Sequence, residues 1–122
     1  MSKTIMIVDD SASMRQVVSI ALRGAGYEVL EGRDGVDALA KLKGQKIHLI
    51  ISDVNMPQMD GITFLGEVRA LPAYRFTPVI MLTTETSEDK KQAGKAAGAR
   101  AWVVKPFKPE VLLNAVQKLV LP

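Results

Sequence analysis

Cysteine is absent from this 122-residue chain. That removes thiol nucleophiles, thiolate metal sites and disulfide staples from consideration, and it permits a reducing compartment. His48 is the single histidine, which excludes a multi-histidine metal centre and argues against a Ser-His-Asp hydrolase. Apolar runs are only a few residues long, and Met1-Ser2-Lys3-Thr4 leads into the first of them without a signal-peptide pattern. The expectation is a soluble cytoplasmic protein that neither enters a membrane nor binds nucleic acid, since no helix carries an Arg/Asn recognition pattern. Charge of one sign is not in large excess: 16 Lys+Arg against 13 Asp+Glu give a net +3, which suits an acidic partner or simply a solvated surface.

What is present is 48% hydrophobic content in a length that builds one core, so residues 1–122 read as one domain. Short β-branched runs alternate with helical patterns in five strand-helix pairs, the sequence form of an α/β parallel sheet. The strands are expected at Thr4–Val8, Glu28–Glu31, Ile47–Ser52, Val79–Leu82 and Ala101–Val104. The first helix, capped by Ser11 or Ser13, carries Met14, Val17, Val18, Ala21, Leu22 and Ala25 at helical spacing, and Gly26 ends it. The second, capped by Asp34 and stopped by Gly44, turns Val36, Leu39 and Ala40 inward. Ile62, Leu65 and Val68 mark the third. The fourth, from Ser87 to Ala97, offers mostly alanine to the core and is the most thinly packed. Pro109 opens the fifth, with Val111, Leu112, Ala115, Val116 and Leu119 inward. His48 and the methionines Met56 and Met59 read as packing residues.

In an open parallel sheet, ligand sites form at the carboxyl ends of the strands, where strand order reverses. The polar residues follow that rule: Asp9 and Asp10 end the first strand, Asp53 the third, Thr83 and Thr84 the fourth and Lys105 the fifth. Two carboxylates about 4 Å apart repel by roughly 4 kcal/mol at an effective dielectric constant near 20. A crowded acidic site therefore raises its pKa values or takes up a divalent cation, and hard oxygen ligands with retained water suit Mg²⁺, with Mn²⁺ as a substitute. A cation, a lysine and a hydroxyl in one place are also what phosphoryl transfer requires, with a carboxylate as the nucleophile.

These residues resemble the receiver domain of bacterial two-component response regulators, and within it the single-domain chemotaxis regulators. The likeness covers the whole chain. It rests on Ile7-Val8-Asp9-Asp10-Ser11, on Ser52-Asp53-Val54-Asn55-Met56-Pro57 with Asp60-Gly61, on Leu82-Thr83-Thr84-Glu85, and on Trp102-Val103-Val104-Lys105-Pro106-Phe107. The resemblance implies a three-layer, flavodoxin-like doubly wound sheet of five parallel strands, order 2-1-3-4-5, with five helices. It implies that Asp53 takes a phosphoryl group from a sensor histidine kinase or a small donor such as acetyl phosphate, and that the domain catalyses only its own phosphorylation and dephosphorylation. Mg²⁺ would be bound by Asp10, Asp53 and the Asn55 carbonyl, with Asp9 acting through coordinated water. Lys105 would pair with a phosphoryl oxygen, and Lys105-Pro106 would be cis. Thr83 would turn toward the phosphoryl group and let Trp102 swing inward. The readout face would be the fourth helix, fifth strand and fifth helix, here with Lys90, Lys91, Lys95, Arg100, Trp102 and Lys108. A monomer contacting a kinase and then a target, such as the flagellar motor switch, is expected.

Departures from the family pattern are specific. Trp102 stands where Tyr or Phe is more usual; it is larger and has no phenolic hydroxyl, so incomplete burial is expected. Thr84 is bulkier than the usual Ala, Ser or Gly and would shield the phosphoryl group from water. Asn55 and Glu85 match the chemotaxis pattern and would position a hydrolytic water, giving fairly rapid self-dephosphorylation. The fourth helix opens with Ser87 and Glu88, where enteric chemotaxis members carry lysines. A metabolite phosphatase of the haloacid-dehalogenase type needs a second Asp where this chain has Asn55. A flavin carrier would lack its phosphate loop, and Asp9-Asp10 would repel the phosphate. The remaining rival is an intermediate or phosphate sink in a relay. Because the sequence stops at Pro122 after the fifth helix, output by protein contact is expected.

Overall fold

The computed structural model describes residues 3–84 and 88–120. Its elements are β1 (Thr4–Val8), α1 (Ala12–Gly24), β2 (Glu28–Gly32), α2 (Gly35–Leu42), β3 (Leu49–Ser52), α3 (Gly61–Ala70), a 3₁₀ turn (Pro72–Tyr74), β4 (Val79–Thr83), α4 (Glu88–Ala96), β5 (Ala101–Val104) and α5 (Pro109–Leu119). All strand pairs are parallel and the order is β2-β1-β3-β4-β5. This is the doubly wound α/β sheet that the sequence pattern predicts. Among the described residues no helix is long and apolar enough to cross a membrane.

The strands are nearly all apolar because both faces of the sheet are covered. Alternation assigns each side chain to a layer: Ile5 and Ile7 pack with Val18, Leu22, Leu112 and Val116 under α1 and α5, whereas Met6 and Val8 pack with Ala38, Leu42, Phe64, Leu65 and Val68 under α2 and α3. Helix α4 is thinly packed as expected, with only Gly94 buried, but Ala93 and Ala96, which the sequence pattern turns inward, are exposed. Caps set the helix starts. Ser11, not Ser13, accepts from the Met14 amide at 3.2 Å, Asp34 from Asp37 at 2.8 Å and Asp60 from Thr63 at 2.8 Å.

Several core assignments move. Val17, Val36 and Val111 are 52%, 48% and 51% exposed, and Ala25 and Ala40 are also exposed. The inward stripe of α2 runs instead through Ala38 and Leu42; Val36 lies a half-turn away from it. Ala25 is the C-cap of α1 and no longer on its face. Strand β3 starts at Leu49, and His48 just before it is tied to Thr4 twice: its amide donates to Thr4 O at 2.9 Å and its Nδ1 accepts from the Thr4 amide at 3.0 Å. Two polar clamps hold the far end of the sheet. Arg69 donates to the carbonyls of Tyr74, Thr77 and Gly98 at 3.1, 2.6 and 3.1 Å, and the Tyr74 hydroxyl lies against the carbonyls of Leu42 and Gln45 where α2 ends.

Register is what assembles the site. Val8 pairs with Gly32 on one side and Ser52 on the other, and Thr83 pairs with Val104. The residues that follow Val8, Ser52, Thr83 and Val104 therefore emerge along one carboxyl edge.

Candidate functional site

Three carboxylates converge on that edge. One oxygen from each of Asp9, Asp10 and Asp53 lies within 4.8 Å of the others. Asp9 and Asp53 are buried at 3% and 8% exposure, and Asp10 is exposed, so the cluster opens to solvent on one side. Asp9 is held at every polar atom. Its amide donates to Gly32 O at 3.1 Å, its carbonyl accepts from Arg15 Nη1 at 2.6 Å, its Oδ1 accepts from the Ser11 amide at 2.9 Å and its Oδ2 accepts from Lys105 Nζ at 2.8 Å. Asp53 is turned by its own loop: Oδ1 accepts from the Val54 amide at 2.7 Å and from the Asn55 amide at 3.4 Å. Its Oδ2 faces Lys105 Nζ at 3.4 Å.

Lys105 thus bridges two buried carboxylates. Its own amide donates to Thr83 O at 2.9 Å, and the Lys105–Pro106 peptide is cis. Burial pulls the Lys105 ammonium toward lower pKa, but the hydrogen bond and charge of Asp9, with the charge of Asp53, outweigh it and hold the group above the ordinary lysine value of 10.5. The lysine expected at this edge thus meets two of the three carboxylates, Asp9 and Asp53, and leaves Asp10 at the mouth of the cluster.

The other predicted residues fall around this centre. Thr83 is fully buried at the end of β4, Thr84 next to it is exposed, and Asn55 is exposed. Glu85 and Ser87 lie outside the described residues. Trp102 on β5 is half-buried against α4, where a Cβ on Gly94 would stand 2.8 Å from its Cζ3. Gly94 gives the indole its room, which answers how a residue larger than tyrosine fits here. The sequence reading missed Arg15 and its partner Glu31, at 3.3 Å from Arg15 Nε. It also missed that Gly61 is pressed against the site, where a Cβ would lie 1.9 Å from the Asp53 carbonyl oxygen. The Asp60-Gly61 pair was visible in the sequence, but a close approach between backbones has no sequence signature beyond glycine itself.

The donor set fits a hard divalent cation. All ligands are oxygens, two carboxylates are preset by hydrogen bonds, one is free to adjust at the mouth, and the open side admits the waters that Mg²⁺ retains. Lys105→Met tests the charge balance. Without divalent cation the variant is expected to lose about 3 kcal/mol, because removing one partner of a buried ion pair leaves the other uncompensated. Added Mg²⁺ should raise its unfolding midpoint more than that of the wild type. Because the folded pKa of Lys105 is raised, its stabilising contribution is complete below pH 10.5 and fades as pH climbs through the higher folded value. Alkaline unfolding of the wild type should accordingly be steeper than that of Lys105→Met. Equal thermal stability of the two proteins in chelator would contradict this balance.

Comparison with known proteins agrees with the geometry. The response regulator receiver domain family matches residues 5–117. Chemotaxis protein CheY1 of Helicobacter pylori is 39% identical over 115 residues, 93% of each chain. The structure of chemotaxis protein CheY4 of Vibrio cholerae superposes with a TM-score of 0.93 at 53% identity, over 98% of this chain and 99% of that one. The receiver domain of a sensor histidine kinase from Pseudomonas aeruginosa, with a magnesium ion coordinated in its active site cleft, gives a TM-score of 0.90 at 28% identity over 98% of both chains. With the family match running from β1 into α5 and chemotaxis proteins of the same length aligned almost end to end, the chain belongs to the response regulator receiver domain family.

Proposed function

We propose that this protein is a two-component response regulator that takes a phosphoryl group on Asp53 and signals by phosphorylation-dependent protein binding in chemotaxis. The observation that carries the reading is the Asp9-Asp10-Asp53 cluster with Lys105 at 2.8 and 3.4 Å from two of its members. In the reaction an Asp53 carboxylate oxygen forms the bond to phosphorus as the bond to the donor breaks: P–N in a kinase phosphohistidine, P–O in acetyl phosphate. The leaving group keeps the electron pair, and the product is an acyl phosphate. Mg²⁺, or Mn²⁺ in its place, would be held by Asp10, Asp53 and the Asn55 carbonyl, and would supply charge neutralisation for the phosphoryl oxygens. Asp9, with both carboxylate oxygens already engaged, suits a role through coordinated water. Lys105 is placed to leave its carboxylates for a phosphoryl oxygen, which carries more charge.

Readout follows from Thr83 and Trp102. A phosphoryl group shifts a two-state equilibrium only through contacts that differ between the states, and the Thr83 hydroxyl makes that difference, with Trp102 moving on the α4-β5-α5 face. Lys91, Lys95 and Arg100 surround Trp102 there, which suits a partner with acidic and apolar groups, such as the flagellar motor switch. The likeness to a receiver within a sensor kinase supports a second reading, a relay intermediate or phosphate sink with the same pocket. In either role the protein acts only on its own phosphoryl group, in the cytoplasm, as a monomer.

Acetyl phosphate and Mg²⁺ should add phosphoryl mass to Asp53 and change Trp102 fluorescence, and chelator should prevent both. Absence of the mass under donor excess defeats the proposal. Binding of the phosphorylated form to motor-switch peptides supports the chemotaxis role, whereas onward transfer to a phosphotransfer domain supports the relay. Asn55, Thr84 and Glu85 tune hydrolysis in this reading. Asn55→Lys should lengthen the phosphoryl lifetime several-fold, and an unchanged decay removes Asn55 from that task.

A further inference from the structure

Arg15 is half-buried on the first turn and a half of α1, and no step of the proposed reaction uses it. Its guanidinium is nonetheless fixed in two directions. Nη1 donates to the main-chain carbonyl of Asp9 at 2.6 Å, and Nε meets Glu31 Oε1 on β2 at 3.3 Å. Arg15 and Glu31 side chains are 18% and 36% exposed, so neither half of this contact is fully solvated. The Asp9 carbonyl belongs to the peptide that joins Asp9 to Asp10, the two acidic residues of β1's end. Clamping it fixes the plane of that peptide and with it the directions in which both carboxylates leave the chain. The Asp9 amide is tied to Gly32, the residue after Glu31, so β2 supports the acidic pair twice: once through the ladder and once through Glu31 and Arg15.

We propose that Arg15, held by Glu31, is a positioning residue for the divalent-cation site, setting the Asp9-Asp10 peptide so that Asp10 meets the cation. The inference rests on the Mg²⁺ reading above. It is separable from simple electrostatics because the two predict opposite signs. A cation beside an acidic cluster competes with Mg²⁺, so loss of the Arg15 charge alone would tighten binding. Loss of positioning weakens it, and partners that orient metal ligands typically contribute 10- to 100-fold in metal affinity.

The test is calorimetric titration with Mg²⁺, repeated with Mn²⁺ followed by electron paramagnetic resonance, on the whole chain. Arg15→Met, which removes both contacts, should bind about tenfold more weakly. Arg15→Lys keeps the charge but not the two-sided reach, and should lie between Arg15→Met and wild type. Glu31→Gln leaves Arg15 charged and weakens its brace from an ion pair to a neutral hydrogen bond, and should weaken binding about two- to threefold. Each protein is checked for a cooperative unfolding transition in chelator. If folded Arg15→Met binds Mg²⁺ as well as or better than wild type, the inference is overturned. Should Arg15→Met not fold, wild-type affinity in both Arg15→Lys and Glu31→Gln overturns it equally. Failure of the wild type to bind either cation would instead remove the metal reading beneath it.

Discussion

Asp53→Asn is expected to abolish phosphoryl uptake from acetyl phosphate, with mass spectrometry finding no added phosphoryl group under donor excess. The reason is electronic, since the two side chains have the same shape. The amide oxygen can still accept from the Val54 amide, which lies 2.7 Å from Asp53 Oδ1, so the β3–α3 loop keeps its turn. An amide oxygen lacks the negative charge of a carboxylate and cannot attack phosphorus to give a stable acyl phosphate. The same substitution removes one member of a cluster whose oxygens lie within 4.8 Å. At that separation each like-charge pair costs roughly 3–4 kcal/mol at an effective dielectric constant near 20. Against this relief stands the loss of the longer Lys105 contact, 3.4 Å, while the shorter one to Asp9 remains. Asp53→Asn should therefore fold at least as stably as wild type in chelator, yet gain less from Mg²⁺. Phosphoryl mass found on the variant would move the acceptor to another residue; marked instability in chelator would show that Asp53 serves the fold as well as the site.

The fold was legible because strands covered on both faces leave continuous apolar runs, as at Ile5–Val8 and Val79–Leu82, and because Ser11 and Asp34 announce helix starts; the cap at Asp60 was not read until the structure showed it. The site was legible for a related reason: a polar residue immediately after such a run must lie at the carboxyl edge of the sheet, and Asp9, Asp53, Thr83 and Lys105 each do. Which residues touch was not. Lys105 is 96 residues from Asp9 along the chain, and only the order β2-β1-β3-β4-β5 brings β5 near enough for its ammonium to reach across to the end of β1. Arg15 sits one turn into α1 and reads as an ordinary surface arginine, since a bond to a main-chain carbonyl leaves no trace in residue type. Arg69 is hidden likewise: its three acceptors are all backbone oxygens, in segments that helical periodicity does not mark. Val17, Val36 and Val111 went astray because a helix's apolar stripe is broader than its buried line, and periodicity alone does not say which edge of the stripe faces water.

Two glycines of the same helix should respond to alanine in opposite directions, and the contrast isolates how α3 is joined to the site. At Gly66 a Cβ would meet nothing within 4 Å, and the position is exposed in the helix interior. Gly66→Ala should stabilise by about 0.5–1 kcal/mol through backbone entropy and leave phosphorylation unchanged. At Gly61 the added Cβ would lie 1.9 Å from the Asp53 carbonyl oxygen, 2.9 Å from its carbon and 3.0 Å from Met81 Cε. A methionine methyl can move aside, but a main-chain carbonyl at the end of β3 cannot without taking its residue along. Relief by moving α3 outward would break the 2.7 Å bond from the Gly61 amide to Val54 O and pull Asp60 from its cap. Relief by moving β3 would displace Asp53 itself. Either route is expected to cost about 3–5 kcal/mol, at the severe end for a single overpacked position. Phosphorylation should fall further than the folded fraction does, since a shift of about 1 Å at a reacting group can cost 10²-fold. Denaturant unfolding and initial phosphorylation rate, measured on the same samples, separate the two effects. If Gly61→Ala lost stability while each folded molecule phosphorylated at the wild-type rate, α3 would be a scaffold that can move without moving the nucleophile. If it lost both, the closeness of Gly61 to Asp53 is what makes the position of the helix and the position of the acceptor a single variable.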